Sequence, residues 1–261
     1  MIKRDKMKKK GQMTLWIILA VLFVTALLVF AYTGRKIKVD DQSISHPGSA
    51  IESCVEEGLE EITQKIMPQG GFVNPSNYIL YKNVKVEYLC KNPGSYVPCI
   101  QQHPLFLEEM RATIEDNIKN KVDGCFRGLE IEYERRSTDV ELGPQQVNLY
   151  WGKGKIYVNL TREMIMKKGE KSLTVLDFPV QVSHPLFNLG SVAIEIANQE
   201  ARYCHFDTLG YSILSPEYMI KKQVMSDESV IYQIQDVKSK KELWIAVRSC
   251  VVPYTLGEEG E

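Results

Sequence analysis

Apolar residues change their spacing several times along this chain, and each spacing predicts a different element. From Met13 to Tyr32 they run almost without a break: MTLWIILAVLFVTALLVFAY holds no charge, Pro or Gly. A helix of that stretch spans about 30 Å, the thickness of a bilayer's hydrocarbon core. A core helix of a soluble domain would show a polar face instead. From Ile51 the spacing becomes three and four. Ile51, Val55, Leu59, Ile62 and Ile66 share one stripe, and Glu56, Glu57, Glu60 and Glu61 lie mainly off it. Ser49 followed by Glu52 fits a capping box at the start, and Pro68-Gln69-Gly70-Gly71 a stop. A second helix opens at Pro104, carries Leu107, Ile114, Ile118 and Val122 on one side, and closes at Gly124-Cys125. A third opens at Pro185 with Leu186, Leu189, Val192 and Ile196.

Elsewhere the period is two. Tyr78-Ile79-Leu80-Tyr81 and Val84-x-Val86-x-Tyr88 read as strands, the second with one buried face. From Leu129 the pattern turns β-rich, with strands predicted at 129–134, 146–151, 155–160, 162–167, 172–182, 218–225, 230–236 and 243–251. Gly152-Lys153-Gly154 and Lys168-Gly169-Glu170 supply tight turns. Strands in runs, rather than alternating with helices, predict an α+β ectodomain with mainly antiparallel sheet and about three helices. The expected organisation is a basic segment 1–12, a transmembrane helix 13–32, a linker 33–48, a helical disulfide-linked part 49–127, a β-rich part 128–257 and a disordered tail 258–261.

Charge gives the anchor a direction. The chain's net charge of −1 conceals an asymmetry. Lys3, Arg4, Lys6, Lys8, Lys9 and Lys10 stand before the span against Asp5, while only Arg35, Lys36 and Lys38 follow it closely. The richer side stays cytoplasmic, so residues 33–261 are expected outside the cell membrane. A secretory signal peptide would have a shorter apolar core and a small-x-small cleavage site, which Ala31-Tyr32-Thr33-Gly34 does not offer. With 1–12 strongly basic and 13–34 uncharged, the remainder of the chain is acidic. That argues against a nucleic-acid binder, which needs local positive charge, and no nucleic-acid partner is expected. The lipid bilayer is the partner expected for residues 13–32.

All six cysteines follow the span: Cys54, Cys90, Cys99, Cys125, Cys204 and Cys250. An even set on the oxidising side predicts disulfides, of which six cysteines allow 15 pairings. Cys90 and Cys99 flank Asn92-Pro93-Gly94, a turn signal. Cys54 near the start of one helix meets Cys125 at the end of the next if the two pack antiparallel. Elimination leaves Cys204 with Cys250. A zinc site is the rival reading, but no pair has CxxC spacing.

Chemistry is harder to find. His46, His103 and His184 each precede Pro and read as polar residues at helix starts. A pocket gathering His184 or His205 with carboxylates is the arrangement an enzyme would need. HExxH, GxSxG and Walker A patterns are absent from the sequence, and Gly152-Lys153-Gly154-Lys155 is a hairpin turn rather than a phosphate cradle. The paired acids Glu56-Glu57, Glu60-Glu61 and Glu108-Glu109 read as solvated helix faces. No catalytic residue, metal ligand or cofactor is assigned. Asn159-Leu160-Thr161 is the one N-x-[ST] sequon without Pro and makes Asn159 a candidate glycosylation site.

Lys9-Lys10-Gly11-Gln12 ahead of the apolar stretch resembles the class III, type IV pilin-like signal of archaeal surface proteins. The resemblance implies cleavage between Gly11 and Gln12 by a prepilin peptidase. That family often carries Glu at the fifth mature position, which is Trp16 here. The body, with Glu52-Ser53-Cys54, Glu56-Glu57 and Gln69-Gly70-Gly71, resembles archaeal membrane-anchored proteins without assigned chemistry. The expected function is a single-pass, extracytoplasmic protein with a structural, adhesive or surface-assembly role, through protein partners or self-assembly. The alternatives are a pilin-like filament subunit and an anchored hydrolase whose site forms only in three dimensions.

Overall fold

The computed structural model describes residues 21–25, 47–94 and 96–250. The chain divides into two compact units, 1–45 and 46–261. In the first, Val21–Thr25 is helical. The rest of the expected span, the linker up to His46, the Gly11-Gln12 junction and the tail lie outside the described residues. Among the described residues no helix is long and apolar enough to cross a membrane.

The second unit is α+β. Helix α1 (Gly48–Ile66) buries Ile51, Val55, Leu59, Ile62 and Ile66, the stripe its spacing predicts. Its start differs from expectation: Pro47 occupies the N-cap and no side chain caps the helix, so the Ser49/Glu52 box does not form. A 3-10 turn, Met67–Gln69, follows, and Gly70 closes it in the left-handed region. Strands β1 (Tyr78–Tyr81) and β2 (Val84–Lys91) pair antiparallel through a two-residue turn. Both turn residues, Lys82 and Asn83, have positive φ, the backbone that matches the twist of a hairpin. Val86 to Cys90 are all buried, so β2 is covered on both faces rather than one. Val86 and Tyr88 join Ile231 and Ala246 in a small apolar cluster. The alternation of a strand sends Glu87 to the opposite face, against the 3-10 turn.

After the short β3 (Ile100–Gln101) comes α2 (Phe106–Arg135), 30 residues long. It does not end at Cys125. Leu129-x-Ile131-x-Tyr133 alternates like a strand, yet Leu129 and Tyr133 also continue a four-residue spacing from Cys125, and the helix buries both while Ile131 stays 49% exposed. The strand expected at 129–134 is therefore helix, and the boundary expected at 127/128 lies inside it. Helices α1 and α2 run antiparallel: Cys54 bonds Cys125, and a turn further along α1 Gly58 lies against Lys121 and Ile118.

Strands β4 (Asp139–Gly152), β5 (Lys155–Lys168) and β6 (Lys171–Ser183) form an antiparallel meander. The strands expected at 155–160 and 162–167 are one strand, β5, and a charged residue, Arg162, stands within its inward series Ile156, Val158, Leu160, Met164, Met166. It faces inward all the same. Its guanidinium donates to Asp123 at 2.9 Å, Gln145 at 3.1 Å and the Gly143 carbonyl at 3.1 Å, and stacks on Phe126. Helix α3 (Leu186–Tyr203) and a short α4 (Thr208–Leu214) precede β7 (Tyr218–Val224), β8 (Val230–Asp236) and β9 (Glu242–Arg248). Helix α4 went unpredicted, since seven residues are too few for a periodic stripe. Asp207, which accepts from the backbone N–H of Leu209 and Gly210, was its signal.

The larger sheet has the order β1-β2-β9-β8-β7, with β3 on β2. Strands β2 and β9 are parallel, so the sheet is mixed rather than antiparallel throughout. It takes strands from both sides of position 127. Disulfides Cys90–Cys99 and Cys204–Cys250 close the β2–β3 hairpin and tie the end of α3 to the residues after β9.

One position carries the junction of α1 and β2. Gly70 has φ +74°, and a Cβ there would stand 2.8 Å from the Glu87 Cβ and 3.0 Å from the Glu87 backbone nitrogen. Gly70→Ala is expected to cost about 2 kcal/mol or more, from left-handed strain plus displacement of β2. Thermal unfolding measures this; an unchanged Tm would refute the close approach.

Candidate functional site

A cluster of titratable groups, one of them fully buried, forms where β2, β3 and α2 meet. β3 ends at Gln101, and the pairing continues as the Gln102 N–H donates to the Leu89 carbonyl. That delivers His103 to the mouth between β2 and the first turn of α2. Glu87 reaches it from β2 and Glu109 from α2. The His103 ring nitrogens stand 2.5 Å from Glu109 (Nδ1) and 3.3 Å from Glu87 (Nε2). Phe72 lies against the ring at 4.5 Å between centroids. Glu87 is 1% exposed. Its carboxylate also accepts from the backbone N–H of Ser76 at 2.6 Å and of Asn77 at 2.9 Å. An open cleft of about 460 Å³ borders Glu109, walled by Phe72, Asn74, Thr113, Asp116 and Asn117.

Burial alone would disfavour charge on His103. The hydrogen bonds and charges of Glu87 and Glu109 outweigh it and raise the imidazole's pKa above its ordinary value. With both nitrogens facing carboxylates, the ring acts as a donor to each. It holds the 72–77 loop, β2 and α2 together. The three side chains do not converge on one point, because the ring lies between the acids. Among the described residues no three His, Cys, Asp or Glu side chains form a group that could hold a metal ion.

His103 thus does more than mark a helix start, and Glu109 is not simply part of a solvated face. The gathering of a histidine with carboxylates occurs at His103 rather than at His184 or His205. His205 is exposed. His184 is 3% exposed. Its Nδ1 accepts from the Leu186 N–H at 3.1 Å at the start of α3, and its Nε2 is buried without a hydrogen-bond partner. Burial, and then the Lys241 ammonium, lower its pKa to about 4, while Glu60 opposes them. Lys241 itself is paired with Glu60. His46 lies outside the described residues.

A second buried pair ties α3 to β8. The Tyr232 hydroxyl donates to Glu200, and both side chains are buried. Burial, and next the neighbouring Glu200 charge, push the phenol far above its usual range, so it remains a donor. The Ser249 hydroxyl and the Cys204 N–H donate to the Glu200 carbonyl, which anchors both partners of the Cys204–Cys250 region. All six cysteines are bonded, as Cys54–Cys125, Cys90–Cys99 and Cys204–Cys250, with Cα separations of 6.0, 5.3 and 5.3 Å. Asn159 is exposed in the middle of β5.

None of these residues was marked as a cluster by the sequence. Glu87 sits in the middle of an apolar strand, and that buried acid is the one signal that could have pointed to it. Compared with protein-family models, curated proteins and solved structures, the chain matches none.

The two histidines predict a stability maximum. His103, raised in the fold, stabilises fully below the unfolded pKa of about 6.5, and that contribution is lost as pH rises through its folded value. His184, depressed in the fold, costs stability as pH falls from about 6.5 to about 4, by about 3 kcal/mol in all. Denaturant unfolding across pH should therefore peak near pH 6.5. His103→Gln should flatten the alkaline limb and His184→Gln should reduce the acid one. Identical profiles for the wild type and both variants would contradict the assignment.

Proposed function

We propose that this chain is a single-pass membrane protein, N-terminus cytoplasmic, whose extracytoplasmic α+β domain has a structural, adhesive or surface-assembly role. The anchor reading is supported by the uncharged stretch 13–32 behind the basic cluster. Within it Val21, Leu22, Phe23 and Val24 are 54–67% exposed on one helical segment, an arrangement suited to lipid. The external reading is supported by three disulfides, which persist in oxidising compartments.

Assembly is favoured over hydrolysis by one observation. Helix α4 has no buried residue, and Leu209, Ile213 and Leu214 are 72%, 71% and 84% exposed. Large apolar side chains grouped on a surface helix mark a contact surface. The His103 cluster, by contrast, spends both ring nitrogens on carboxylates within the domain.

Protease added outside intact cells should digest residues 33–261 and spare 1–12; a protected C-terminus would overturn the orientation. Native-state mass measurement tests assembly. The detergent-extracted protein should associate with itself or a partner, and the triple variant Leu209→Ser, Ile213→Ser, Leu214→Ser should weaken that association at least tenfold. A wild-type protein that is monomeric and alone would overturn the assembly role.

A further inference from the structure

We propose that Asn159 carries an N-linked glycan seated on the outer face of the β4–β5–β6 sheet. The proposal rests on the external location argued above. Strand alternation puts Tyr157, Asn159 and Thr161 on one face of β5, while Val158 and Leu160 are buried on the other. Asn159 lies opposite Asn148 on β4 and Pro179 on β6. Its neighbours one step along the strand are the rows Tyr150–Tyr157–Gln181 and Gln146–Thr161–Asp177. Tyr150 is 57% exposed and Tyr157 39%.

This face has an unusual composition. A surface of ordinary charge density would place about three charges among these nine outward positions. They hold one, Asp177, and it already accepts from the Thr161 hydroxyl at 3.1 Å. What remains is two tyrosines, a proline and a set of amides. Tyrosine rings offer flat apolar surface beside a polar tip. The C–H faces of sugar rings pack on such surface, and the amides of Gln146, Asn148 and Gln181 can exchange hydrogen bonds with sugar hydroxyls. A glycan starting at Asn159 has this platform directly beside it.

The chemistry is group transfer without redox change. The Asn159 amide nitrogen attacks the anomeric carbon of a lipid-phosphate-linked oligosaccharide, held by a membrane glycosyltransferase. The bond from anomeric carbon to phosphate oxygen breaks, the bond to Nδ2 forms, and the amide proton leaves as the lipid phosphate departs. In the folded sheet Asn159 is paired on both sides and the Thr161 hydroxyl is occupied. Transfer therefore precedes closure of the β5–β6 hairpin.

Protein from its native membranes, digested with trypsin without reduction, tests this. The peptide from Ile156 to Arg162 should appear with attached sugar, and Thr161→Ala should abolish the modification while Thr161→Ser retains it. An unmodified peptide together with intact disulfides would overturn the glycan and leave the external location standing. An unmodified peptide together with free thiols would overturn both. Seating on the sheet has its own readout: Tyr150 and Tyr157 should be nitrated severalfold more slowly in the glycosylated protein than in Asn159→Gln. Equal rates would refute the seating. Shielded tyrosines beside an unmodified Asn159 would refute the glycan and assign the face to a protein partner.

Discussion

Burial of the apolar stripe of α2 is the interaction on which the domain's arrangement depends. Nine of its residues, from Phe106 to Tyr133, are buried. That burial holds α1 antiparallel on one side and β4 on another, and several polar links to the small sheet start from the same helix. Glu115 accepts from the Leu149 N–H at 2.6 Å, the Leu107 carbonyl accepts from Trp151 Nε1 at 3.1 Å, and Asp123 pairs with Arg162. The first turn of α2 carries Glu109 to His103. Apolar burial supplies the stabilisation, at about 25 cal/mol per Å², and the polar contacts set where along the helix each strand sits. The Cys54–Cys125 bond closes a loop of 71 residues across the α1–α2 pair and so restricts the unfolded chain.

Buried polar groups fall into two kinds. Glu87 and Arg162 are each met by several donors or acceptors within the protein, the Glu200 carboxylate is met by the Tyr232 hydroxyl, and each lies where elements from distant parts of the chain join. Such groups cost little once paired, and they penalise any packing that separates them from their partners. His184 is the exception, with one nitrogen unpaired and its charge suppressed. The interior chemistry is thus turned to holding the domain together. What the domain presents outward differs by region: apolar side chains on α4, and a face poor in charge on the small sheet. This contrast underlies the proposed functional reading.

Much of the local structure was legible in the sequence, because it depends on neighbours along the chain. The stripe from Ile51 to Ile66, the Pro185 start of α3, the Gly154 and Gly169 turns and the strand run at 230–236 are all short-range patterns, and each element stands where its pattern put it. The candidate cluster was not legible. Glu87 and Glu109 reach His103 only because β2, β3 and α2 converge, and no spacing records that convergence.

The sequence by itself determined the rhythm of helices and strands, the uncharged stretch behind a basic cluster, and six cysteines all on one side of it. Only the tertiary structure decided between readings that local pattern left equal. Leu129 and Tyr133 satisfy both a period of two and a spacing of four, and packing beside Phe126 chose the helix. The strands expected at 155–160 and 162–167 are one, and its inward Arg162 is met by Asp123, 39 residues away. The parallel pairing of β2 with β9 joins Tyr88 to Ala246. Its hydrogen bonds come from backbone groups that every residue type shares, so the side-chain sequence carries no local mark of them.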